Sequence, residues 1–143
     1  MRYTREDTMI AKMETPKPMR RDVYDLIGEL GGMQPQERRI RAMQDLEALG
    51  DLRAVSVLIE TLRDADPEIR KHSAKALIAF RSVRSVDALI ETLMNGDEWW
   101  ITRRYAALAL GRIQGYRATA ALARYQNEAV PGGRAAPEEA RTP

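Results

Sequence analysis

Few residues in this 143-residue sequence are equipped for chemistry. There is no cysteine, which removes thiolate nucleophiles, thiolate metal sites and disulfides together. His72 is the only histidine, so no multi-histidine metal site forms within one chain; beside Lys71 it reads as a half-exposed helical residue. Glu60 and Glu91 occupy equivalent positions of a repeated segment. Two such carboxylates could share a proton or hold a cation, but solvation or pairing with arginine is the simpler role. The sequence has no Gly-rich phosphate loop, no HExxH and no Ser-x-x-Lys pattern. Gly28, Gly31 and Gly32 follow no strand and read as helix terminators. The expectation is a non-enzymatic chain with no catalytic residue, no metal and no cofactor.

Arginine and tryptophan remain. Arg53, Arg84 and Arg117 recur at steps of 31 and 33 residues. A guanidinium offers several donors in a rigid fork, so an arginine repeated in this way either braces neighbouring units or meets an acidic partner. Trp99 and Trp100 are the only tryptophans, and they are adjacent. Successive helical residues point about 100° apart. One ring can therefore fill a gap while the other anchors a partner, a role aromatic side chains often take. A third group, with Arg70, Lys71, Arg103 and Arg104 at its centre, is a candidate basic strip. Asp64, Asp66, Asp97 and Glu98 in the adjoining turns are placed to neutralise it.

The elements that must position these residues are helices throughout. Val23, Leu26, Ile27 and Leu30 recur at helical spacing, as do Ile40, Met43, Leu46 and Leu49, then Val55, Leu58, Ile59 and Leu62. Pro35 fits a first-turn position, Asp66-Pro67 a cap followed by proline, and Asp51, Ser82 and Asp97 further starts. Leu58-Ile59-Glu60-Thr61-Leu62 returns intact as Leu89-Ile90-Glu91-Thr92-Leu93, 31 residues later. Leu77, Phe80, Arg84 and Leu89 return 33 residues on as Leu110, Ile113, Arg117 and Leu122. The two extra residues fall around Trp99-Trp100. Each unit is a helical hairpin, with A helices at about 35–49, 67–81 and 99–113 and B helices at about 52–64, 83–94 and 116–127. One hairpin cannot bury both apolar faces alone, and stacking three makes a continuous core. Ala74, Ala76, Ala79, Ala106, Ala107 and Ala109 suit close approach of the A helices. The helix at 20–30 caps the first repeat.

The stretch Asp66-Pro67-Glu68-Ile69-Arg70-Lys71-His72-Ser73-Ala74-Lys75-Ala76-Leu77 with Arg84-Ser85-Val86-Asp87-Ala88-Leu89-Ile90 resembles the short HEAT-like repeat of the phycobilisome-lyase type. Arg103-Arg104-Tyr105-Ala106-Ala107-Leu108-Ala109-Leu110-Gly111 is similar to that family's A helix, and Gly50-Asp51-Leu52-Arg53-Ala54-Val55 to its inter-helix turn. The later turns depart from it, with Arg81-Ser82-Val83 and Gln114-Gly115-Tyr116. The resemblance covers about 34–126 and implies an all-α, right-handed superhelix, a HEAT-like solenoid of three hairpins plus the N-terminal capping helix. For function it implies an interaction scaffold or a lyase-like accessory subunit of a chromophore-handling enzyme.

Charge separates the remaining readings. Residues 1–21 carry six basic and three acidic groups, whereas 22–127 hold 15 of each. We expect a flexible basic segment at 1–19, the repeat domain at 20–127 and a disordered tail at 128–143. No apolar run is long enough to span a bilayer and no secretory core follows Met1, so a cytoplasmic location with no membrane partner is expected. A protein-interaction module with an unidentified, acidic partner fits best, and a homodimer through 99–127 is a further expectation. The alternative is nucleic-acid binding through the basic A helices, which a neutral body disfavours. A generic duplex should therefore bind weakly at physiological salt. A complex tighter than about 10⁻⁸ M with a steep salt slope, measured by anisotropy titration, would reverse that expectation.

Overall fold

A computed structural model describes residues 22–128, so the expected flexible segment 1–19, and the expected disordered tail 128–143 apart from Glu128, lie outside the described residues. Seven α-helices follow one another: α1 (Val23–Glu29), α2 (Gln36–Leu49), α3 (Val55–Thr61), α4 (Pro67–Phe80), α5 (Val86–Met94), α6 (Trp100–Ile113) and α7 (Tyr116–Asn127). Short 3₁₀ turns, Leu52–Ala54 and Val83–Ser85, lead into α3 and α5. There is no strand among the described residues. Of the three hairpins expected from the repeat, α6/α7 packs closely within itself, whereas α3 and α5 pack mainly on the A helix that follows them, and α1 packs on α2 as the cap. The A helices stack in a row, α2 on α4 on α6, while α3 leans on α4 and α5 on α6.

Equivalent residues do equivalent work in this stack. Leu46, Leu77 and Leu110 are fully buried, one per A helix. Ala42, Ser73 and Ala106 form a second buried row whose small side chains let the helix axes approach. Ala74, Ala76 and Ala109 are buried as expected. Ala79 is exposed and so takes no part in the stacking. Leu58 and Leu89 are fully buried on the B side. Inside the stack the Thr61 and Ser73 hydroxyls satisfy one another at 2.5 Å, and Thr61 also donates to the Leu58 carbonyl.

Local chemistry sets the helix ends. Asp51 accepts from the Arg53 amide, Ser82 from the Arg84 amide and Asp66 from the Glu68 amide, with Pro67 opening α4. Pro35 stands one position earlier than expected, at the N-cap of α2. Asp97 is exposed and caps nothing; its neighbour Glu98 accepts from the Trp99 amide instead. The A helices all end with a residue at positive φ: Gly50 at 64°, Arg81 at 49° and Gln114 at 63°. Only the first is glycine, so Arg81 and Gln114 hold this conformation against a steric cost of about 1 kcal/mol each.

The repeats are tied together by an inward-facing arginine row, one residue per A helix, with Arg39 and Arg103 buried and Arg70 half-buried. Arg39 donates through Nε to the Leu30 carbonyl at 3.0 Å and grips the Asp64 carboxylate with both terminal nitrogens. Arg70 donates to the Asp64 carbonyl at 2.8 Å and pairs with Glu98 at 2.7 Å. Arg103, fully buried, donates through Nε to the Leu93 carbonyl at 3.0 Å and lies over the Tyr125 ring at 5.1 Å. Each guanidinium thus covers carbonyls just where the preceding helix ends, the end that favours positive charge. Glu98 is only 3% exposed. Arg70→Met would leave its carboxylate buried without a counter-ion, and chemical denaturation should show a loss of roughly 3 kcal/mol.

Candidate interaction surface

The second arginine set lies at the other end of the A helices, where each turns into its B helix. Arg53 reaches back to Asp51, with Nε at 3.0 Å and Nη2 at 2.6 Å, and its guanidinium covers the Tyr24 ring of α1 at 4.8 Å. Arg84 donates through Nη2 to the Ser56 hydroxyl of the preceding repeat at 2.7 Å. Arg117 pairs with Asp87, one repeat back, at 2.5 Å. Ser56 and Asp87 are themselves equivalent positions. Each arginine therefore leans onto the unit before it, and all three are solvent-exposed. Bracing is real here, but exposed pairs of this kind contribute at most about 1 kcal/mol each.

The tryptophans divide as their angular separation requires. Trp99 is half-buried, with the Lys71 ammonium 5.9 Å from its ring. Trp100 opens α6 and is 37% exposed, an aromatic face available at the irregular junction.

The expected basic strip does not assemble. Arg103 is wholly inside and Arg70 is committed to Glu98 and two backbone carbonyls. Lys71 pairs with Glu68 at 2.9 Å, and of the four residues only Arg104 is exposed. Of the acids placed to neutralise this group, Glu98 pairs with Arg70, while the Asp64 carboxylate is taken by Arg39. Glu68 also approaches His72 Nε2 at 3.9 Å, and His72 is half-buried. Glu91 accepts from Arg63 at 2.8 Å on the surface, the arginine pairing anticipated for it, while Glu60 is exposed. A cleft of about 350 Å³ lies between the first two repeats; of its carboxylates, Asp64, Glu91 and Glu98 are engaged by Arg39, Arg63 and Arg70, and Asp97 is exposed.

Sequence reasoning missed the unity of the Arg39, Arg70 and Arg103 row. The signal was present, since the three stand 31 and 33 residues apart, as the surface ladder does. It also missed that Leu52, Val83 and Tyr116, each just before a ladder arginine, stay in solvent.

Two outcomes follow for charge and stability. The Arg39 guanidinium, with help from the Asp66 amide, holds the Asp64 carboxyl below the usual carboxylate range, and the Arg53 side chain with its own amide draws Asp51 down to about 2. Both carboxyls bind a proton more weakly folded than unfolded. Their stabilisation is complete above the unfolded value, about 4, and is lost as pH falls through the folded values. Melting temperature should therefore drop on acidification below about pH 4, and Asp64→Asn should flatten that decline. Arg84→Ala, which removes only an exposed bond to a hydroxyl, should shift unfolding free energy by less than about 1 kcal/mol in denaturant titration. That is smaller than a brace to buried acceptors would give.

Residues 25–111 match the HEAT-repeat family, a span that runs from α1 almost to the end of α6. Among curated proteins no match is found. The family match reaches the row of stacked A helices and the B helices between them, and the third B helix completes the last hairpin beyond it. Sequence offset, packing and family match agree, and the chain belongs to the HEAT-repeat family.

Proposed function

We propose that this chain is a protein-interaction module, a small scaffold whose partner is an acidic protein. The observation that carries the reading is Arg84. It is exposed on the middle repeat, and the group it meets is a neutral hydroxyl, so its charge is not matched by a carboxylate among the described residues. Arg53 and Arg117 flank it at equivalent positions, in exposed pairs that a partner's carboxylate could replace at little cost. Trp100, with Trp99 behind it, supplies an aromatic anchor at the repeat junction. HEAT-repeat membership and the lack of any catalytic motif support a non-enzymatic role. The further similarity to the phycobilisome-lyase type, and with it an accessory-subunit role, rests on repeat residues that serve the stack.

Nucleic-acid binding loses most of its footing, because Arg70 and Arg103 face inward and Lys71 is held by Glu68. No helix among the described residues is long and apolar enough to cross a membrane. A cytoplasmic location is part of the proposal. Self-association through 99–127 has less to work with than its sequence implied. Ala121 is buried, and Leu122 and Tyr125 pack onto the core, which leaves mainly Trp100, Leu108, Tyr116, Ala120 and Ala123 outside.

Tagged full-length protein, captured from its native host with and without Arg53→Ala/Arg84→Ala/Arg117→Ala, tests the reading. An acidic protein should be retained at low salt, released by added salt and lost with the triple variant, whose melting curve should stay close to that of the parent. A triple variant that retains the same protein would show that the ladder is bracing alone.

A further inference from the structure

Leu52, Val83 and Tyr116 occupy one equivalent position in the three repeats, and they are 64, 75 and 89% exposed. Each begins the turn into its B helix, immediately before a ladder arginine. The bonds from Arg84 to Ser56 and from Arg117 to Asp87 bring successive corners side by side. The edge is therefore a row of three apolar side chains at repeat spacing, each beside a guanidinium. A stack gains nothing from leaving Leu, Val and Tyr in water at the same place three times.

The middle corner adds a second feature. Where the first repeat has Gly50, the second has Arg81, held at a φ of 49° that glycine would adopt freely. Arg81 and Arg84 then flank Val83, and neither meets a carboxylate among the described residues. Along the edge Arg53, Arg81, Arg84 and Arg117 stand with two carboxylates, Asp51 and Asp87, which pair with the end arginines. Positive charge is thus concentrated at the centre, between apolar positions.

We infer that this edge binds an acidic, apolar segment of a partner protein, with its apolar side chains on Leu52, Val83 and Tyr116 and its carboxylates on Arg81 and Arg84. The inference rests on the interaction-module reading and names the chemistry of its partner. Charge complementarity selects an acidic occupant. The apolar row selects a peptide over a phosphate backbone, because Leu and Val offer no stacking surface for bases.

Display of a random dodecapeptide library against the full chain tests this directly. Enriched peptides should combine net negative charge with spaced Leu, Ile, Phe or Tyr. In fluorescence anisotropy, a labelled enriched peptide should lose at least about tenfold in affinity to Arg81→Glu/Arg84→Glu, since like charges then oppose one another. Leu52→Ser/Val83→Ser should weaken it as well, whereas Met33→Ser, exposed and outside the edge, should not. Circular dichroism melting confirms that each variant is folded. Should the charge reversal unfold the chain, Arg84→Gln with Val83→Ser carries the same test. Enriched peptides without acidic residues, no enriched family, or a generic DNA duplex that displaces the peptide better than excess unlabelled peptide would each overturn the edge assignment. If binding is lost with Trp100→Ala but survives the edge variants, the edge fails while the interaction-module reading stands. If no face of the chain binds any peptide and the host capture retains nothing, both fall.

Discussion

The stack depends on how one inward-facing cation per A helix is compensated. Arg39, Arg70 and Arg103 each project inward at a repeat junction, where an unpaired charge would be prohibitive. Compensation comes from two directions at once. A carbonyl near the end of the preceding helix accepts from the guanidinium, and for Arg39 and Arg70 a carboxylate in the following turn supplies the counter-charge. The arginine is thereby bonded on both sides of its own helix. Spacing between hairpins follows from this, because Asp64 and Glu98 must arrive at the guanidinium while the rows of Leu and Ala close around it. Glu98 also accepts from the Trp99 amide, so the junction that carries two extra residues is fixed by the same carboxylate.

Position decides what an arginine does here. The two arginine rows share the same period and the same residue type. The inner row faces the stack and is held by carbonyls, with carboxylates on Arg39 and Arg70, so it serves the fold. The outer row, Arg53, Arg84 and Arg117, touches the preceding unit through single, exposed contacts. Such contacts exchange readily with water or with another carboxylate, which suits a surface that meets a partner. Apolar residues follow the same division. Leu46, Leu77 and Leu110 close the core, while Leu52, Val83 and Tyr116 recur just as regularly and remain outside.

Repetition within one chain made much of this legible. The offset of 31, then 33, located every hairpin, placed the insertion at Trp99-Trp100, and identified Arg53, Arg84 and Arg117 as one set. Periodicity located the helices because burial on one face of a helix follows its 3.6-residue turn. Caps at Asp51, Asp66 and Ser82 were legible because their chemistry is local. Asp97 and Glu98 show where that reasoning stops. Asp97 is the capping type yet caps nothing, while its neighbour Glu98 is drawn in as the counter-ion of Arg70.

By itself, the sequence determined helix content, repeat register, the single capping helix and the neutrality of the body, since each follows from residue type and local spacing. Only the tertiary structure decided which arginines are inside. Arg70 and Arg104 are both basic residues of an A helix, and residue type alone does not separate one half-buried against Glu98 from one left in solvent. That difference arises from which side of each helix meets the neighbouring repeat, a property of the stack as a whole. The same packing turned most of the expected basic strip inward and left an apolar, arginine-lined edge at the opposite ends of the A helices.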